Sequence, residues 1–341
     1  MYAMLMRTRE TLYRWGVFRQ ARLPAVVISV GNLTMGGTGK TPVVQYLARL
    51  LRKDGLHPAV ISRGYGGATK EPVNIVSDGE RVLLDAAFVG DEPRFLAETL
   101  DGVPVLTGVV RKLPAATAVE MGADVLLLDD GFQHLGVARD IDLVLFNADT
   151  LAGNSRVFPG GDLREPVKAL FRCHAFLLTG VHDENRERAG RFADLLRQRF
   201  SGRPVFFSTY LPSGLVWRTV DGKRHQEGPG RLAGRKCFAF CGIARPESFR
   251  DMLLSMDLEL TGFVGLPDHH RYTGADVDRL RREAREKGSE LLVTTEKDLV
   301  KLEGLEPGLD LAAVRMETRP EESFDAFICE AVARVRAGEK D

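Results

Sequence analysis

Thr34-Met35-Gly36-Gly37-Thr38-Gly39-Lys40-Thr41 is the stretch on which the fold turns. It follows an apolar run, Ala25-Val26-Val27-Ile28-Ser29-Val30, and leads into a helical pattern, Pro42-Val43-Val44-Gln45-Tyr46-Leu47-Ala48-Arg49-Leu50-Leu51. Strand, glycine loop and helix in that order form the context of a phosphate-binding loop. The glycines let successive backbone N–H groups close around phosphate oxygens, and the helix N-terminus adds a positive dipole end. Lys40 is spaced to reach β- and γ-phosphates, and Thr41 to offer its hydroxyl to Mg²⁺. The nucleotide-binding set is therefore Thr34, Gly36, Gly37, Thr38, Gly39, Lys40 and Thr41. Pro42 is tolerated because first-turn N–H groups have no intrahelical partner. The usual pattern has Gly six positions before the lysine, where this chain has Thr34.

Outward from the loop, short apolar runs alternate with helical segments. Candidate strands are Ala25–Val30, Ala59–Ser62, Val125–Leu128, Leu143–Phe146 and Phe176–Thr179. The alternation predicts an α/β fold, a P-loop NTPase-like, doubly wound and mostly parallel sheet. Ligands of such sheets bind at the carboxyl ends of the strands. With 341 residues the chain is long enough for two domains. The expected division is a core domain over 25–174 and a smaller α/β domain over 175–319, with strands at Pro204–Thr209, Leu215–Thr219, Cys237–Cys241 and Leu291–Thr294. The final helix, about 320–341, is free to pack back on the core.

Formal net charge is zero, which gives no electrostatic case for nucleic acid. Cys173, Cys237, Cys241 and Cys329 form no CxxC pair, as suits a reducing compartment. Residues 1–24 interleave Met4, Leu5, Leu12, Tyr13, Trp15, Val17 and Phe18 with Arg7, Arg9, Arg14, Arg19 and Arg22. No apolar run there approaches the ~20 residues of a spanning helix. Two readings remain open: an interfacial helix on an anionic leaflet, or a helix packed on its own domain.

Val125-Leu126-Leu127-Leu128 runs into Asp129-Asp130, the place for a Mg²⁺-binding aspartate, with Asp130 favoured as the closer ligand. Gln133, in Gly131-Phe132-Gln133-His134, would lie beside the same phosphates. In Val89-Gly90-Asp91-Glu92-Pro93, local pattern favours Asp91 or Glu92 as a helix cap over a carboxylate near the γ-phosphate. Arg63 and Tyr65, in Ser62-Arg63-Gly64-Tyr65-Gly66-Gly67, are placed to grip an anionic or sugar group, as is Arg164 in a second rigid loop. Asp268-His269-His270 reads from local pattern as surface histidines. Thr295-Glu296-Lys297-Asp298 reads equally as a helix cap and as a weak likeness to the base-reading motif of GTP-binding proteins.

Taken together these motifs resemble the tetraacyldisaccharide 4′-kinase family, the lipid A 4′-kinases of Gram-negative bacteria. The likeness runs in order from about residue 29 to 302. It rests on Gly31-Asn32-Leu33-Thr34, the phosphate loop, Ser62–Gly66, Gly90–Pro93, Asp129–His134, Leu163-Arg164-Glu165-Pro166, Asp268–His270 and Thr295–Asp298. The resemblance implies transfer of the ATP γ-phosphate to the 4′-hydroxyl of a tetraacylated glucosamine disaccharide 1-phosphate. It implies Mg²⁺, residence at the cytoplasmic face of the inner membrane, and an N-terminal helix that meets that membrane, with no obligate protein partner. It further implies a catalytic pair, Asp91 and His269, beside Lys40. A different class was weighed, a membrane-associated ATP-driven switch or partitioning ATPase. Such proteins commonly carry Lys where this chain has Met35, which favours the kinase.

Overall fold

The computed structural model describes residues 2–338. The chain forms two compact units, Met1–Tyr210 with Thr318–Asp341, and Leu211–Glu317. Residue 175, where the sequence suggested a boundary, opens a strand of the first unit's own sheet.

In the first unit the chain runs α1 (Tyr2–Arg14), β1 (Val26–Asn32), α2 (Lys40–Lys53), β2 (Pro58–Ser62), β3 (Asn74–Ser77), α3 (Ala86–Val89) and α4 (Asp91–Thr99). It continues through β4 (Val105–Thr107), α5 (Lys112–Glu120), β5 (Val125–Asp129), β6 (Ile141–Asn147), β7 (Ala175–Thr179), α6 (Asp183–Arg199) and the first half of β8 (Val205–Arg218). The strands lie in the order β8-β7-β6-β1-β5-β2-β4-β3. All pairings are parallel except β3 on β4, at the edge. Strand β1 sits between β5 and β6, where the strand order reverses, so the loops after β1 and β5 open side by side at the carboxyl edge.

Period-two alternation explains why β1 is buried along its whole length. Val26, Ile28 and Val30 pack on one face with Val44 and Leu47 of α2, while Val27 packs on the other with Leu126, Leu128 and the alanines Ala115 and Ala118 of α5. Helix α10 (Glu322–Arg336) closes the first face. Its Phe324, Ile328 and Val332, one turn apart, join the cluster, and Tyr46 donates to Asp325 at 2.6 Å.

The second unit carries the rest of β8, β9 (Arg224–Glu227), β10 (Lys236–Cys241), α7 (Pro246–Leu254), β11 (Glu259–Gly265), α8 (Gly274–Glu286), β12 (Leu291–Thr295), α9 (Glu296–Lys301) and most of β13 (Leu311–Pro320). Its parallel strands are ordered β11-β10-β12-β13, with β9 antiparallel on β8. The sequence placed two strands where β8 is one. Pro212 and Gly214 interrupt the apolar pattern but not the extended backbone.

Candidate active site

The phosphate loop is pinned at several points. Asn32, at the end of β1, donates through Nδ2 to the Thr34 carbonyl at 2.7 Å. Met35 N–H donates to the Asp162 carbonyl at 2.7 Å and Arg164 N–H to the Leu33 carbonyl at 2.8 Å, so the Leu163–Pro166 loop is laid along the phosphate loop. Thr179, at the end of β7, donates its hydroxyl to the Thr38 carbonyl at 2.9 Å. Thr34 is buried and pairs with Leu163, and it adopts no positive φ, so the glycine of the usual pattern is not required there. Gly39 is different. Its φ of +74° is left-handed, and any Cβ would run into the Tyr210 hydroxyl. Helix α2 starts at the next residue, so the loop ends on a helix N-terminus.

Lys40 Nζ lies 3.3 Å from Asn32 Oδ1 and 3.5 Å from Asp130 Oδ1. Arg164 Nη1 donates to both Asp130 oxygens, at 2.9 and 2.8 Å. Burial opposes ionisation of Asp130, but Lys40 and Arg164 outweigh it and hold the carboxyl below its ordinary range. Asp129 next door is 2% exposed and behaves oppositely. Burial, with Glu92 adding and Lys40 opposing, pushes its carboxyl up to about 7. Among the described residues Asp129 Oδ1 has no hydrogen-bond partner. A buried orphan oxygen beside a second carboxylate, on the strand next to a phosphate loop, fits a divalent cation. Among the described residues no group of three or more His, Cys, Asp or Glu side chains is arranged to hold a metal ion. A Mg²⁺ ion bound with substrate phosphates needs only one or two protein carboxylates.

Asp91 opens α4, and the N-cap residue is Gly90, with no side-chain capping bond. The helix starts two residues earlier than local pattern suggested, so neither acid is the N-cap residue, and both Asp91 and Glu92 sit in the first turn, where the dipole favours negative charge. The loop after β2 locks onto this junction. A Cβ on Gly90 would run into the Tyr65 carbonyl, and Ala68 N–H and Thr69 N–H donate to the Ala87 and Phe88 carbonyls at 3.1 and 3.0 Å. Arg63 and Tyr65 themselves are exposed. Gln133 donates through Nε2 to the Asn32 carbonyl at 2.9 Å, so it braces the phosphate loop.

One residue escaped the sequence reading. Arg111, just ahead of α5, is 3% exposed. Burial pulls its guanidinium below the usual range against the pull of Asp129 and Asp130, and among the described residues its Nη1 has no hydrogen-bond partner. Its position after a parallel strand was the available signal, but Val-Val-Arg-Lys-Leu reads locally as an ordinary basic helix start. His134 is pushed down to about 4, first by burial and then by Arg111, Arg9, Arg139 and Arg63 around it. The carboxyl edge of the sheet thus brings the buried acids Asp129 and Asp130 within electrostatic reach of Arg111, and Arg111, Arg9, Arg139 and Arg63 within reach of His134.

Helix α1 docks beside Gln133 and Arg172. Arg9 donates to the Gln133 carbonyl at 3.1 Å, and Glu10 pairs with Arg172 at 3.2 Å. Met4, Leu5, Trp15, Val17 and Phe18, on α1 and the segment after it, stay exposed. Among the described residues no helix is long and apolar enough to cross a membrane.

In the second unit, His269 and His270 follow β11. His269 has a φ of +58°, and its N–H donates to Asp268 Oδ1 at 3.0 Å. His270 Nε2 lies 3.3 Å from Asp276, a residue of the α8 capping box.

The tetraacyldisaccharide-1-P 4′-kinase (LpxK) family matches residues 1–333. The tetraacyldisaccharide 4′-kinase of Desulfotalea psychrophila is 48% identical over 334 residues, 98% of this chain and 94% of that one. The enzyme of Syntrophus aciditrophicus is 43% identical, covering 96% and 93%. Among solved structures, the "apo" form of LpxK from Aquifex aeolicus in complex with ATP superposes with a TM-score of 0.76 at 30% identity, covering 97% of this chain and 96% of that one.

Proposed function

The chain belongs to the tetraacyldisaccharide-1-P 4′-kinase family, and from that premise we propose how its residues divide the work. The reaction moves the γ-phosphoryl group of ATP to the 4′-hydroxyl of a tetraacylated glucosamine disaccharide 1-phosphate. Little covalent chemistry is asked of the protein, so positioning and charge stabilisation dominate.

The observation that carries the assignment is the Lys40–Asp130–Arg164 network beside the orphaned Asp129 oxygen, at the mouth of the phosphate loop. Lys40 and the loop amides hold the β- and γ-phosphates. Thr41 and Asp129 would hold Mg²⁺, which when bound neutralises charge on those phosphates. Asp130, engaged by Arg164 and Lys40, fixes the lysine instead. Arg111 contributes a buried cation, and the positive charge of Arg111, Arg63 and Arg9 around His134 suits the anionic end of the acceptor.

Asp91 accepts the proton of the 4′-hydroxyl as that oxygen bonds to phosphorus and the bond to the ADP oxygen breaks. His269 manages the geometry and proton affinity of that base. The support for this pairing is the family likeness, together with the place of Asp91 in the first turn of α4. The exposed apolar residues of the N-terminal segment rest on the cytoplasmic face of the inner membrane, where the acceptor resides.

Turnover with labelled ATP and the lipid acceptor, on Asp91→Ala, His269→Ala and the double variant, tests the pair. General-base catalysis typically supplies ~10²–10⁴-fold, so each single variant loses about that much and the double little more. Multiplicative losses would reject the pair.

A further inference from the structure

The Thr295–Asp298 turn is the motif the proposed chemistry leaves unused. As a nucleobase reader it would have to display Asp298, yet Asp298 is fully buried and its carboxylate is already spent. Oδ2 accepts from the Gly242 N–H at 3.0 Å and from the Thr295 hydroxyl at 2.7 Å, and Oδ1 accepts from Lys301 Nζ at 3.0 Å. Lys301 also donates to the Gly242 carbonyl at 3.2 Å, so the pair clamps both backbone groups of Gly242. Burial and the neighbouring Asp298 carboxylate raise the Tyr272 phenol well above its ordinary range.

Gly242 lies directly under the histidine loop. A Cβ there would stand 3.1 Å from His270 Cβ and 3.3 Å from the Pro267 carbonyl. Tyr272 meets the His270 ring edge-on, with centroids 5.1 Å apart. His270 is thereby tied down, while the His269 side chain stays 40% exposed. Lys297 completes the arrangement. Its Nζ lies 3.9 Å from Asp268 Oδ1, the oxygen that accepts the His269 N–H. His269 holds a left-handed backbone, which non-glycine residues keep only where their surroundings impose it.

We propose that Thr295–Lys301 is the platform that positions His269, with Lys297 and Asp298 as its positioning residues; this rests on the reading of His269 as part of the catalytic pair. Lys297 is the residue to test, because its side chain is 21% exposed and that of Asp268, against which it lies, is 38% exposed. Full-length Lys297→Met and Lys297→Arg are made in the parent and in His269→Ala, and kcat, both KM values and thermal unfolding are measured. Misplacement of about 1 Å costs up to ~10²-fold. The expected result for Lys297→Met is a kcat loss of about 10-fold or more, with KM for ATP and Tm close to the parent. Lys297→Arg recovers most of the activity, and in His269→Ala the Met substitution costs nothing further. An unimpaired Lys297→Met beside an impaired His269→Ala overturns the platform alone, as does an equal loss in both backgrounds or a loss that tracks Tm without rescue by Arg. A fully active His269→Ala overturns the reading of His269 beneath it.

Discussion

Two buried polar clusters in this chain have opposite accounts. At the mouth of the phosphate loop, Asp129 and Arg111 are buried, yet each keeps a polar atom with no partner among the described residues. Under the histidine loop, Asp298 and Lys301 are buried as deeply, and both oxygens of the acid are bonded. Desolvated charge without a full set of partners is costly, and it persists where a ligand supplies the missing bonds. A buried ion pair with its carboxylate fully bonded holds shape. Under the proposed division of work, the difference separates groups that await a substrate from groups that hold shape, although each cluster pairs acid with base.

The comparison is broken or sharpened by substitution. The largest expected effect is at Lys40. Lys40→Ala removes a charge at the transferring phosphoryl group and should lower turnover by about 10³-fold or more, with Tm nearly unchanged. Near-parent turnover in a folded variant would end the nucleotide-site assignment.

Arg111→Leu and Asp298→Ala should part company in stability. The arginine variant loses about 10²-fold in turnover but unfolds no more easily than the parent, because a poorly partnered buried charge has been removed. Asp298→Ala leaves Lys301 buried without its acid and should cost about 3–5 kcal/mol. Denaturant unfolding of both decides it. Equal destabilisation would erase the distinction between the clusters.

Asp129→Asn should be inactive yet more stable, and the gain should depend on pH. The folded carboxyl, near 7, lies above its unfolded value, so the folded state binds the extra proton. The group's contribution is fully present below the unfolded pKa and is lost as pH rises through about 7. The Asn variant should therefore gain over the parent by on the order of a few kcal/mol at pH 8 and by little at pH 4. A pH-independent difference would contradict the burial argument. Saturating Mg²⁺ with nucleotide should shrink the gain by stabilising the parent.

The smallest effect falls at the N-terminus. Removing residues 1–20 should move protein from the membrane fraction to the soluble one at a stability cost of about 1 kcal/mol. Arg172 keeps its 2.7 Å bond to Glu165, so the loop beneath stays braced. Unchanged partitioning would leave the segment a packed helix only.

How much of this was legible beforehand follows from where the information lies. The parallel strands β1, β5, β6 and β7 were readable because both faces are covered, which writes them as unbroken apolar runs. Strand β4 is only three residues long, and β11 mixes glycine, threonine and glutamate, so neither leaves that signature. The phosphate loop was readable because its chemistry is local. Arg111 was not, because its meaning comes from Asp129 and Asp130, which the sheet brings beside it. Asp298 read as a cap or a base reader. The cap is made by Thr295, and the clamp on Gly242 is set by contacts between distant residues.

The loop that carries Arg63 and Tyr65 is stitched by two backbone bonds to the segment leading into Asp91, and Gly90 sits hard against the Tyr65 carbonyl. Two flaps that look independent in the chain are therefore expected to fluctuate as one body. Their order parameters should rise and fall together, and a substrate that quiets the first loop also quiets the helix start that bears the base. The tether would turn local damping into timing: the proposed base would be held still while the loop beside it is occupied, and would regain its motion when the product leaves.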